Sequence, residues 1–399
     1  MTATTATSVR SPLRALLTDT RVLRLFGASM VARLPLGATG IVLILHVRAL
    51  TGSYAAGGLA AGVNSLAFGA TAPALGRLVD RRGQTGVLLA GALVAAAALL
   101  ALALLPPAAP LAAVLALCAL AGAAVPPLGS CLRVLWTEIL PDADRVHAAY
   151  AFESVALEFT YVLGPLVVAG AIATHSPPAA LVTCAVLLLA GTAAFASTAE
   201  SRAARPSTAE RSRGGALRSP AVRALLLSFA FVALTFGVVE VATAAFAEAA
   251  GRRGAAGPLL GAWGVGSMIG GLWAARGGVP ADPPRRLALL YGVLAAGYVP
   301  LLLPTGVLAM VPLMALAGVA IGPSIATAYG ILGRHAPDGT ATEAFAWAGT
   351  AFGGGLAAGA ALGGALVDGH GASAGFALAA AGAAAAAAVV ALRRRALTG

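Results

Sequence analysis

The stretch Gly76-Arg77-Leu78-Val79-Asp80-Arg81-Arg82-Gly83 is a short charged segment with glycine at both ends. The run before it, Tyr54–Leu75, carries no charged side chain, and neither does the run after it, Thr85–Leu105. Each run is near the ~20 residues that a helix needs to cross ~30 Å of hydrocarbon. The sequence therefore predicts two antiparallel membrane helices joined by a tight turn, and its arginines predict that the turn faces the cytoplasm.

The composition of the whole chain is that of an integral membrane protein. Apolar residues make up 59% of the 399 residues and charged residues only 10%, against ~25% charged in soluble domains. The net charge of +11 comes from arginine alone, since the chain has no lysine. These arginines lie in loops, so they predict membrane topology and contact with anionic lipid rather than nucleic-acid binding. The three cysteines lie in apolar runs without CxxC spacing, so we expect neither a disulfide nor a metal site.

Apolar runs bounded by charge or proline predict twelve spans and an all-α membrane fold. We expect six-helix bundles at 22–198 and 222–392, a cytoplasmic linker at 199–221, and cytoplasmic tails at 1–21 and 393–399. With the N-terminus inside, three arginines fall outside (Arg48, Arg252 and Arg253) and Arg33 falls within a span. The predicted spans are 22–50, 53–79, 84–105, 109–136, 146–173, 178–198, 222–248, 256–275, 286–303, 306–333, 341–367 and 373–392.

The two halves echo each other at an offset of about 195 residues, as expected for a parallel duplication. The charged turn is matched by Gly271–Gly277, which has lost the aspartate. Gly122-Ala-Ala-Val-Pro-Pro in the fourth span is matched by Gly318-Val-Ala-Ile-Gly-Pro in the tenth. In the eleventh span, glycines at 353, 355, 359 and 363 predict a flat face for close helix packing.

The turn between the second and third spans resembles the signature loop of the major facilitator superfamily: glycine, one residue, an apolar pair, aspartate, arginine, one residue, glycine. The resemblance implies a twelve-helix secondary transporter that works by alternating access. It also implies that Asp80, in a gating loop that includes Arg81, caps or pairs at the boundary between the halves and steadies one conformational state. The alternative is a plain solvated loop. Gly76 and Gly83 permit the close helix approach and the tight turn. One feature departs from the drug-antiporter branch, because Val168-Ala169 stands where that branch carries a glycine pair.

Ionisable side chains within spans are functional candidates, since each costs ~2.5 kcal/mol or more at mid-bilayer. Arg33 lies about 10 residues inside the first span, ~15 Å deep, and Glu158 lies at a similar depth in the fifth. We expect these two to pair, either as a static packing pair or as a pair that responds to protons or substrate. Glu153 is shallower, and with Arg133 it is a candidate for a charge network at the helix ends near Asp80. Arg133 has an alternative as a snorkelling arginine.

Glu240 lies in the seventh span, and no basic residue of that span lies near it in sequence. An unpaired carboxylate in a low-dielectric site suits a proton carrier or a cation contact. The alternative is a residue wetted by the outer vestibule.

The sequence predicts a transporter and not an enzyme, because it shows neither a P-loop nor a paired nucleophile or metal cluster. We expect no cofactor, and the expected partners are a small-molecule substrate, protons and membrane lipid. The chain is expected to be a monomer in a bacterial cytoplasmic membrane. Proton-coupled export of a drug or metabolite is the leading interpretation. The alternatives are proton-coupled nutrient uptake and a non-transporting, permease-like subunit of a sensor or complex.

Overall fold

The computed structural model describes residues 12–107, 109–155, 160, 177–204, 215–252, 255–303 and 306–398. Within these ranges the chain forms helices and short connections, without a strand. Along the spans, in order, the helices are Thr20–Arg33 with Thr39–Thr51, Tyr54–Arg82, Gln84–Ala103, Leu111–Ala123 with Leu128–Ile139, 143–155, Pro177–Ala196, Pro220–Ala249, Ala256–Arg276, Pro283–Tyr298, Val307–Gly318 with Ile321–His335, Ala341–His370, and Ala372–Leu392. Short helices lie at Pro12–Thr18, Ala199–Ala203 and Arg394–Thr398, and 3₁₀ turns at Leu34–Gly37, Ala216–Arg218 and Val299–Leu302.

Most predicted spans are helices long and apolar enough to cross a membrane. Among the described residues eight helices qualify, and the first span makes nine when its two helices, bent by 41°, are taken together. The second and eighth spans are helices of 29 and 21 residues outside that set, since glycines and polar residues lower their hydropathy. Most of the fifth span lies outside the described residues.

One side of the bundle carries the linker, and we call it the linker side. There Gln84 donates to the carbonyl of Ser201 at 3.2 Å, which places the turn after the second span beside the linker. The linker is packed at both ends, because Ser201 and Ala216 are fully buried. The opposite side, where the second span begins after Ser53, is called the far side.

Three of the described spans are broken into two helices. The first is interrupted by the 3₁₀ turn Leu34–Gly37, which contains Pro35. The fourth is interrupted at 124–127 and the tenth at 319–320. The breaks in the fourth and tenth spans fall within the matching Gly122 and Gly318 motifs, so the sequence echo corresponds to a shared backbone feature.

The glycine face of the eleventh span packs against the seventh. A Cβ at Gly355 would lie 2.2 Å from the carbonyl oxygen of Ala230, and one at Gly359 would lie 2.1 Å from that of Leu234. The prediction was wrong for Gly353, where a Cβ would meet nothing within 4 Å. Steps of four residues keep one helix face, whereas a step of two turns away from it.

Candidate functional site

The turn quoted first lies where the second span crosses the eleventh on the linker side. A Cβ at Gly76 would lie 2.9 Å from the carbonyl oxygen of Thr342 and 3.0 Å from Cα of Glu343. Gly83 has a φ of 81°, and its N–H donates to the carbonyl of Val79 at 2.8 Å. Glycine is therefore needed at both positions, at Gly76 for the helix crossing and at Gly83 for the turn.

Asp80 joins the two halves through the start of the eleventh helix. Its Oδ1 accepts a hydrogen bond from the N–H of Thr342 at 3.2 Å, and its Oδ2 accepts one from Glu343 at 3.0 Å. The first N–H groups of a helix have no partner within the helix, and the helix dipole favours an anion there. The carboxylate thus caps a helix that belongs to the other half of the molecule.

An ion pair flanks this contact. Arg77 donates to Oε1 of Glu343 at 2.7 Å, and the arginine side chain is 47% exposed while the glutamate is 1% exposed. Arg81 is exposed on the last turn of the second span. Glu343 was missed in the sequence, because a glutamate in the first turn of a helix is common and does not reveal a partner in a distant segment.

A buried cluster of three charged side chains lies deeper in the N-terminal half. Nη1 of Arg33 lies 2.9 Å from Oε1 of Glu153, and Nη2 of Arg133 lies 3.0 Å from the same oxygen. Glu153 is completely buried, and both arginines are more than nine-tenths buried. Formally the cluster holds two positive charges and one negative charge. Oε2 of Glu153 and Nε of Arg133 have no hydrogen-bond partner within the described chain.

Arg33 thus pairs with Glu153, whereas the sequence led us to expect Glu158, which lies outside the described residues. Two physical reasons explain the difference. The fifth helix begins at 143 rather than at 146, so Glu153 lies as far inside it as Arg33 was expected to lie in the first span. In addition, a helical side chain leans toward the helix N-terminus, which carries the long Arg33 side chain toward the linker side.

Aromatic rings connect this cluster to the C-terminal half. The guanidinium carbon of Arg133 lies 4.1 Å from the ring centroid of Tyr329 in the tenth span, a cation–π contact. The ring of Tyr150 lies 6.1 Å from those of Tyr329 and Phe345. Arg133 therefore does not snorkel to the surface but lies between the halves. Asp80 of the second span and Arg133 of the fourth span make separate contacts. Each contact joins its span to the C-terminal half.

Glu240 lies apart from these contacts, nine residues from the far-side end of its helix. It is exposed, and it lies one turn beyond Phe236 on the same face. The ring of Phe236 lies 4.8 Å from that of Trp263 and 5.3 Å from that of Phe352. This face of the seventh span is thus turned toward the eighth and eleventh spans, with the carboxylate accessible above an aromatic group.

The described residues contain no group of three histidine, cysteine or acidic side chains placed to hold a metal ion. The arrangement consists of a closed contact between two halves, a buried charge cluster and an accessible carboxylate.

Sequence comparison identifies a family. The model of the Major Facilitator Superfamily matches the chain over residues 25–342. No curated protein matches the chain.

Solved structures of low sequence identity share the fold. A bacterial homologue of the iron transporter ferroportin, in its outward-facing state, is 15% identical with a TM-score of 0.75, covering 94% of this chain and 99% of its own. The human organic anion transporter MFSD10 (TETRAN) is 16% identical with a TM-score of 0.70, covering 96% and 100%. The E. coli fucose:proton symporter FucP is 14% identical with a TM-score of 0.69, covering 96% and 99%.

Proposed function

Because the chain belongs to the major facilitator superfamily, we propose that it is a secondary active transporter that moves a small organic solute by alternating access. The observation that carries this proposal is the contact between the halves on the linker side. Asp80 accepts from backbone groups of the eleventh span, and Arg133 lies against Tyr329 of the tenth. These bonds join separate bundles, so they can break when the bundles rock apart.

The linker side is assigned to the cytoplasm, because most arginines lie on that side or at its helix ends. On this assignment both termini lie on the cytoplasmic side of a bacterial cytoplasmic membrane, and the closed linker side is the cytoplasmic side. We propose that the monomer is the transporting unit, with membrane lipid as its surroundings.

Proton-coupled export of a drug or metabolite is the leading mode. Glu240 is proposed as the coupling carboxylate, because it is accessible in a helix that otherwise presents apolar and aromatic side chains there. The cluster of Arg33, Glu153 and Arg133 is proposed to respond to the substrate or to the opening of the cytoplasmic side. Proton-coupled uptake uses the same parts with the solute moving in the opposite direction.

Transport in vesicles with an imposed pH gradient tests the proposal. Purified protein in liposomes is offered a panel of labelled organic anions, cations, sugars and drugs, with the gradient in either direction. If the protein exports by antiport, the solute should move in the direction opposite to proton flow. If it takes up solute by symport, the solute should move in the same direction as the protons. Protein-free liposomes are the control. If no compound moves under either gradient, while the same preparation binds a partner protein, the non-transporting subunit is the correct interpretation.

A further inference from the structure

A second contact between the halves lies on the linker side, at the start of the fifth helix. Oδ1 of Asp144 accepts a hydrogen bond from the N–H of Val279 at 2.7 Å. Val279 lies in the turn between the eighth and ninth spans, so the bond crosses from the N-terminal to the C-terminal half. A Cβ at Gly278 would lie 2.6 Å from the same oxygen. The carboxylate therefore occupies the space that glycine leaves open.

The neighbouring helices cross closely, as they do at Asp80. A Cβ at Gly271 of the eighth span would lie 2.7 Å from Cγ2 of Val155 and 3.3 Å from Oγ of Ser154, both in the fifth span. Gly271 is the duplicate of Gly76, which meets the eleventh span. The molecule thus has two glycine crossings on the linker side, each accompanied by an aspartate that accepts from backbone N–H groups.

The two contacts differ in one respect. The first turn supplies its own aspartate, Asp80, to the facing helix. The duplicate turn has Ala275 in the corresponding position and supplies only a backbone N–H. At this second crossing the carboxylate comes from the facing helix, so the acid that the turn has lost is replaced from the opposite half.

We infer that Asp144 is a positioning residue for transport, whose bond to the N–H of Val279 forms a second clasp that holds the linker side closed. The inference rests on the proposed function, because a clasp matters only if the halves separate. When they do, the bond must break and the carboxylate returns to water. Loss of the clasp should therefore favour the state that is open on the linker side. Since one hydrogen bond at an exposed site is involved, we expect a shift of about threefold to tenfold.

The test measures the accessibility of the crossing itself. In a background without Cys118, Cys131 and Cys184, a reporter Ser154→Cys places a thiol at a position that is 4% exposed between the fifth and eighth spans. A membrane-impermeant maleimide is applied to inverted vesicles, in which the linker side faces outward. Asp144→Ala should raise the labelling rate of the reporter about threefold to tenfold. Asp144→Asn keeps an acceptor oxygen and should raise it less.

Glycine substitutions supply a matched pair. Gly278→Ala should raise labelling as Asp144→Ala does, because the new Cβ displaces the carboxylate. Gly277→Ala is the control, since its Cβ would meet only a carbonyl oxygen at the ordinary distance of 3.6 Å. Asp144→Ala combined with Gly278→Ala should match either single variant, because both remove the same bond. For Asp144→Ala combined with Asp80→Asn, the free-energy changes should add and the increases in labelling rate should multiply, because the two clasps share no partner.

The clasp is overturned if Asp144→Ala leaves the labelling rate unchanged, or if Gly277→Ala raises it as much as Gly278→Ala. It is also overturned if the variant that combines the Asp144 and Gly278 changes labels faster than either single variant, by the product of their separate increases. Labelling requires no substrate, so it separates this inference from the proposed function. If labelling shifts as expected while no solute moves in liposomes, the clasp stands and the transport proposal falls. If solute moves and labelling does not shift, the reverse holds.

Discussion

Among the described residues, Glu153 is the carboxylate that two buried arginines share. Replacing it by leucine leaves both guanidinium groups without their partner in a low-dielectric site, at a cost of about 3–5 kcal/mol. Arg33→Leu should cost less, because Arg133 still neutralises Glu153. The measurement is the apparent melting temperature of the purified protein in detergent. A melting temperature for Glu153→Leu equal to that of the unaltered protein would contradict the pairing described above.

Glu240 is the residue for which a coupling role is tested most directly. Glu240→Gln mimics the permanently protonated side chain, so it should abolish proton-driven accumulation and spare ligand binding and passive exchange. Accumulation and exchange are measured in the same liposomes, where exchange serves as the control for folding. Accumulation that still follows the pH gradient would exclude Glu240 and make Glu153 or Glu158 the next candidate.

Residue types were easier to predict than residue partners. A charge within an apolar run is visible in the sequence, so Arg33, Glu153 and Glu240 could be chosen from it. Their contacts depend on where each helix begins, and three residues at the start of the fifth helix changed the partner expected for Arg33. Tyr329, Glu343 and Asp144 gave no signal, because nothing in the local sequence indicates which distant segment faces them.

The packing of the seventh and eleventh spans depends on glycine at particular helix positions. Gly359→Ala should destabilise the protein by about 1–3 kcal/mol, since its Cβ would overlap the seventh helix and force the pair apart. Gly353→Ala introduces the same methyl group six residues away, where it meets nothing within 4 Å. It should leave stability unchanged or raise it slightly, because alanine is the better helix former. The melting temperatures of the two variants are compared. Equal decreases in melting temperature would contradict the assignment of this glycine face to helix packing.

Helices were predicted well where hydropathy alone decides them. The fourth and tenth spans show the limit, since each is one apolar run in sequence but two helices in the structure. Proline and glycine within the runs lie at the breaks. The matching motifs gave the positions of the breaks in the sequence but did not predict that the helices are interrupted there.

Asp80 acts at the scale of the whole molecule, because it holds one half against the other. Asp80→Asn should leave insertion and abundance intact but slow transport. The variant loses the charge and one acceptor, and its NH₂ group faces a backbone N–H. Arg82→Gln is the control, since this exposed arginine belongs to the same turn. Initial rates in liposomes, normalised to inserted protein, provide the comparison. Normal rates for Asp80→Asn would reduce the turn to a topology signal.

The two clasps recognise backbone groups, and this has a consequence for mutational tolerance. Asp144 accepts from the N–H group of Val279, so the identity of the Val279 side chain is immaterial to that bond. In a saturation screen, position 279, which is half-buried, should accept many amino acids, whereas positions 80 and 144 should accept few. Proline is the exception. At 279 it has no N–H to donate, so it should break the bond to Asp144 while the other amino acids keep the donor.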